Sequence, residues 1–185
     1  MTTTNTANNA TIALDTADMD EPAIYIANLA AYNAGSLRGA WINPSSDADD
    51  LGEQILAAIG GNADNEWAIH DYNNFPNLGE HASVKDIAKV AAMFDEHDHD
   101  AVNAAIDESG VRYLDQAASM LDSGFREFDK REDDALEEYA QELADDGVLD
   151  AKFLLQYVDW SRVARDVRMD VHVVEKNGKT FIFND

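Results

Sequence analysis

Six consecutive residues, Asp95-Glu96-His97-Asp98-His99-Asp100, bring two imidazoles and four carboxylates together. Imidazole with carboxylate is a donor set that suits divalent cations. The spacing does not build such a site. An EF-hand loop needs Gly at its sixth position and a closing Glu, and zinc hydrolases place two His four apart on a helix. Neither pattern occurs, so the run reads as a solvated acidic linker between two helices; if it holds a metal, His97 and His99 are the residues to do it. His70-Asp71-Tyr72 offers an acid/base pair, but neighbours on a strand point to opposite faces. His70 and Tyr72 could share a face, as a packed strand edge would have them. Arg162, Arg165 and Arg168 recur every three residues, with Asp159, Asp166 and Asp170 nearby to pair with them. The sequence contains no cysteine, and it has no phosphate-binding glycine loop and no nucleophile motif. These readings predict no catalytic residue, no metal and no cofactor, and the chain is not expected to be an enzyme.

The elements that would carry these residues follow from periodicity. Residues 1–21, rich in Thr, Asn and Ala, read as a disordered leader ending near Pro22. Residues 22–80 read as an N-terminal α+β domain. Strands are predicted at Ala23–Leu29, Leu37–Asn43 and Glu66–Tyr72, with a turn at Asn33, Gly35 and Ser36. A helix over Asp50–Ile59 has Leu51, Ile55, Leu56 and Ile59 on one face. Residues 81–123 read as a small acidic helical domain with three apolar stripes, beginning at Val84, Val102 and Val111. Residues 124–185 return to α+β. They are predicted to hold a short strand over Gly124–Phe128, a helix over Glu132–Leu143 and helical or turn-like stretches at Lys152–Val158 and Ser161–Val167. A hairpin about Asn177-Gly178 closes the chain, this dipeptide being preferred in two-residue turns. The predicted fold class is thus α+β, three small domains in an elongated chain.

Charge is the strongest feature. The chain carries 37 acids against 13 Lys plus Arg, a net charge of −24. Residues 47–150 hold 28 acids and 6 bases, whereas residues 151–185 hold 5 acids and 6 bases. Self-repulsion of this kind costs stability, so a selective reason other than folding is expected. A surface that imitates a polyanion would supply it. The predicted face comprises Asp47, Asp49, Asp50 and Glu53; Asp86, Asp95, Glu96, Asp98 and Asp100; Asp107, Glu108, Asp115 and Asp122; and Asp133, Asp134, Glu137, Glu138, Glu142, Asp145 and Asp146. Such a face attracts proteins with basic grooves and is repelled by nucleic acid and anionic lipid. The charge-balanced tail, with Phe153, Tyr157, Trp160, Phe181 and Phe183, suits contact between like-charged protomers. Adaptation to high salt is the competing reading, and 25 Asp against 12 Glu agrees with it. A salt-adapted acidic scaffold or a metal buffer therefore stands as the alternative function. No apolar run approaches the ~20 residues of a membrane span, and no signal-peptide pattern opens the chain, so a cytoplasmic location is expected.

Three strings narrow the choice: IYIANLAAYNAGSLRGAWINP from Ile24, EWAIHDYNNFP from Glu66, and LLQYVDWSRVARDVRMD from Leu154. In this order they resemble the ArdA family of antirestriction proteins. The resemblance implies a DNA mimic carried by mobile elements such as conjugative plasmids. It implies a curved, elongated homodimer of three-domain chains that occupies the DNA-binding groove of Type I restriction–modification enzymes. Residues 154–170 correspond to the family's antirestriction motif, and the third domain to its dimer contact. Leu154, Leu155, Val158, Asp159, Ala164, Arg165 and Asp166 thereby join Phe153, Tyr157 and Trp160 as dimer or motif residues.

Overall fold

A computed structural model describes residues 17–61, 66–148, 155 and 158–184. The chain divides into two compact units, residues 1–92 and 93–185. Both are α+β, built from helices and small antiparallel sheets.

In the first unit, β1 (Ala23–Asn28) is flanked by β2 (Gly39–Ile42) and β3 (Trp67–Asn73), both antiparallel to it. A central strand has neighbours on both edges, which is why AIYIAN is apolar nearly throughout. Of its residues, Tyr25 alone is not fully buried. Asp47 caps α2 (Ala48–Ala58) by accepting from the backbone N–H of Asp49 and Asp50 at 2.9 and 3.0 Å. Leu51, Ile55 and Ala58 form the buried face of that helix. Asn28 Nδ2 donates to the Ile59 carbonyl at 2.9 Å, joining the end of β1 to the end of α2.

Two local expectations change here. A short helix, α1 (Leu29–Asn33), begins at Leu29, read as the end of the first strand, and runs to Asn33, read as the start of the turn. The Asn28 side chain caps it by accepting from the Ala31 N–H at 2.9 Å. The second strand is shorter than predicted, because Leu37 lies outside it and is exposed.

The boundary between the units falls within α3 (Val84–Glu96). The second unit continues with α4 (His99–Ser109), α5 (Leu114–Asp122), β4 (Phe125–Phe128) and α6 (Glu132–Asp145). It ends with α7 (Trp160–Val167), β5 (Val171–Lys176) and β6 (Lys179–Asn184). The sheet order is β4-β6-β5, all antiparallel. Asn177 and Gly178 have φ of 53° and 78°, the double left-handed geometry that a two-residue hairpin turn requires.

Alternation along the hairpin gives the two faces of this sheet different partners. Val173 and Ile182 pack with Phe128, Leu136, Tyr139 and Ala164, so α6 and α7 cover that face. His172, Val174 and Lys176 stand opposite Phe183, Phe181 and Lys179 on the other face, where His172, Lys176 and Lys179 meet side chains of α4. Phe181, Ile182 and Phe183 are consequently buried from both sides. Helices α4 and α5 of the acidic middle block thus pack onto the C-terminal sheet. Lys152–Val158, read as helical or turn-like, lies largely outside the described residues, as does most of the 1–21 leader. No helix among the described residues is long and apolar enough to cross a membrane.

Four groups make this fold sensitive to alkali. Burial raises the hydroxyl pKa of Tyr72 and of Tyr139. Hydrogen bonds to Glu138 and Glu127 raise the ammonium pKa of Lys130 and Lys179. Each group binds its proton more tightly folded than unfolded. The stabilisation is complete below the unfolded values, about pH 10, and declines as pH rises through the folded ones. Denaturant titrations should give an unfolding free energy that these groups leave level up to about pH 9 and that falls above about pH 10.

Candidate acidic interaction surface

The predicted acidic residues have distinct structural roles. Asp47 and Asp98 are helix caps, the latter accepting from Asp100 N–H at 2.9 Å at the start of α4. Asp86 lies in the first turn of α3 and accepts from Ser83 Oγ at 2.7 Å. Loss of a capping carboxylate leaves N–H groups of the first turn unpaired. Asp47→Ala and Asp98→Ala should each lower stability by about 1 kcal/mol, whereas Asp49→Asn, at an exposed site beyond the cap, should change it little. Thermal melts of the three variants would check this.

A second set is neutralised within the chain. Lys176 Nζ meets Asp107 Oδ2 at 2.8 Å, and His172 Nδ1 lies 3.1 Å from Glu108 Oε1. Asn177 Nδ2 donates to Asp100 Oδ1 at 3.1 Å, and Lys179 Nζ approaches Asp100 Oδ2 at 3.8 Å and Glu127 Oε1 at 2.9 Å. Two of the six bases that balance the tail's charge, Lys176 and Lys179, therefore face acids of α4. At these half-exposed positions each pair adds little stability, but each removes a carboxylate from the pool open to a partner.

Helix α6 carries the most continuous row. Ala135, Leu136, Tyr139, Ala140 and Ala144 face inward. An open groove along its outer side is lined by Lys130, Asp134, Glu137, Glu138, Gln141, Glu142 and Asp145. Four glutamates of the helix are held by side chains from elsewhere in the unit. Arg168 Nε donates to Glu132 Oε1 at 2.7 Å, Ser161 Oγ to Glu137, Lys130 to Glu138, and Arg126 Nε lies 3.4 Å from Glu142. Asp133, Asp134, Asp145 and Asp146 are exposed, as are Asp49, Asp50, Glu53 and Asp95.

The family whose model matches residues 24–180 is described as Antirestriction protein (ArdA). The chain belongs to the ArdA family. No curated protein matches it. The matched span reaches into both units and includes all of residues 154–170.

Of the motif residues, Phe153, Leu154 and Tyr157 lie outside the described residues. Leu155 and Val158 are half-buried, and the Val158 N–H donates to the Leu155 carbonyl at 3.3 Å. Asp159 caps α7 by accepting from the Arg162 N–H at 3.1 Å. Trp160 is half-buried, Ala164 is in the core, and Arg165 and Asp166 face outward. The local pairing expected for the three arginines is replaced at Arg168 by the longer-range contact with Glu132. The reason is position: Arg168 closes α7 where that helix meets the start of α6.

The two histidine readings also change. Only His97 and Asp98 separate α3 from α4, so the six-residue run is mostly helix end rather than linker. Glu96, His97 and Asp122 hold donor atoms within 4.8 Å of one another. His97 Nε2 is 3.6 Å from Asp122, while His99 packs edge-on to Phe94 at 5.1 Å. His97 and His99 thus have different neighbours. His70 is the extra residue of a bulge, since Ile26 pairs with Ile69 and Tyr25 with Asp71. His70 contacts the Tyr32 ring, and Asp71 accepts from the Tyr72 N–H, which gives no dyad.

The sequence reading missed the residues that hold α6: Ser161, Arg168, Lys130 and Arg126. Their partners lie 8 to 36 residues away. The available signal was the outward row of Glu on a helix with a clear apolar face, which needed cations from somewhere.

Proposed function

We propose that this ArdA-family protein inhibits Type I restriction–modification enzymes by occupying their DNA-binding groove, without catalysis. It does so as an acidic mimic of duplex DNA and protects mobile-element DNA in the host cytoplasm. The observation that carries this reading is the acidic outer side of α6, with Asp133, Asp134, Asp145 and Asp146 exposed, in a chain of net charge −24. Carboxylates four residues apart on a helix are separated by about 6 Å along its axis, whereas duplex DNA presents one charge per about 1.7 Å. One helix falls short of that density, so several acidic faces must act together. A homodimer of elongated chains, with acids contributed by both units of each, would assemble them. Residues 151–185 are proposed to carry the dimer contact.

Gel-shift competition tests the proposal. The protein should displace duplex DNA from a purified Type I methyltransferase complex at low salt, and intact DNA complex at saturating protein would falsify groove occupancy. Because the charge is distributed, single Asp→Asn changes on the exposed rows should shift the competition curve by less than about threefold. The salt-adapted scaffold predicts instead a melting temperature that climbs steeply with salt and no competition with DNA.

A further inference from the structure

We propose that Arg168 and Ser161 are positioning residues for the carboxylates of α6, so that the antirestriction motif acts on the partner through α6. The proposal rests on the groove-occupancy reading above. Helix α7 buries Ala164 and packs Val167 against the core beneath α6. The buried face of α6 sets how that helix is seated, and the two polar attachments fix where its Glu132 and Glu137 carboxylates point.

Ser161, in the first turn of α7, donates to Glu137, and Arg168, just past its end, donates to Glu132. The order of the contacts is reversed between the helices, so they run antiparallel. At about 1.5 Å per residue, the attachments are ~7.5 Å apart along α6 and ~10.5 Å apart along α7. Two fixed points at that separation tie the outward side of α6 to α7. Glu175 of β5 adds a third by accepting from the Glu132 N–H at 2.9 Å. Without these contacts the Glu132 and Glu137 side chains would sample other rotamers and the row would lose its fixed spacing. Holding the row in place beforehand spares the complex the cost of ordering it on binding.

The test measures displacement of duplex DNA from the methyltransferase across a salt series, for wild type, Arg168→Gln, Arg168→Lys and Ser161→Ala. The dependence on salt reports how many partner cations are neutralised. A role in folding alone would lower activity by one factor at every salt concentration and leave that dependence unchanged. Arg168→Gln should weaken displacement about 10-fold and flatten the salt dependence. Ser161→Ala should move both in the same direction by less, and Arg168→Lys should recover most of the loss. The double variant Arg168→Gln/Glu132→Gln should be no weaker than Arg168→Gln, because Arg168 works through Glu132. Variants that match wild type, or that lose activity with an unaltered salt dependence, would overturn the positioning role while leaving groove occupancy standing. Failure of wild type itself to displace DNA would overturn both.

Discussion

Gly39→Ala should destabilise the first unit by about 3 kcal/mol or more. Gly39 begins β2 and pairs with Ala27 of the central strand. A methyl group on its Cα would lie 2.3 Å from the Ile26 carbonyl oxygen and 2.9 Å from the Tyr25 hydroxyl. The tyrosine could swing aside, but the carbonyl belongs to the buried middle strand and cannot move without opening the sheet. For a unit of this size the melting temperature should fall by about 10–20 °C. Gly52→Ala is the matched control. Gly52 lies inside α2, and nothing stands within 4 Å of the position its Cβ would take. That change should stabilise by about 0.5–1 kcal/mol, because alanine loses less conformational freedom in a helix. Equal melting temperatures for the two variants would contradict the packing described for β1 and β2.

On the proposed groove occupancy, affinity for the methyltransferase should fall as salt rises, but less steeply than that of DNA. A protein making 6–10 phosphate contacts loses about 10³–10⁵ in DNA affinity between 50 and 200 mM salt, because condensed counterions are released. Carboxylates about 6 Å apart on one helix form a sparser array that condenses fewer ions. Several of the acids are already neutralised internally by Lys176, Lys179, Arg168 and Lys130. The affinity of the protein over the same range should therefore drop about 10–10²-fold. Its advantage over DNA would widen as salt increases. Binding isotherms at three salt concentrations would show this. An affinity independent of salt would mean that apolar contact, not charge, holds the complex.

Much of the fold can be read from local pattern. AIYIAN announces a strand covered on all sides, Asn177-Gly178 announces the hairpin, and the inward row Leu136, Tyr139, Ala140 gives α6 its orientation. These signals are strong because each concerns residues close in sequence. The α1 helix escaped notice because LAAYN favours no single conformation until Asn28 caps it. The bulge at His70 depends on the register between two strands, which periodicity alone does not set. For the candidate surface, the acids were legible and their availability was not. Whether a carboxylate faces solvent or a lysine is decided by contacts such as Asp107–Lys176, 69 residues apart.

The double covering of β6 has a further consequence. Phe181 and Phe183 lose contact with water only while the α4 side of the sheet is closed, and Ile182 only while α6 and α7 are seated. Helices α4, α6 and α7 and the C-terminal hairpin should therefore melt as one cooperative body. Removing the hairpin to look for a dimer contact would dissolve the scaffold along with the contact, so point substitutions on outward side chains are the cleaner probe. For the same reason the acidic segment cannot be exchanged among relatives as an independent cassette. Where these helices go, the strand that seals them must be inherited too.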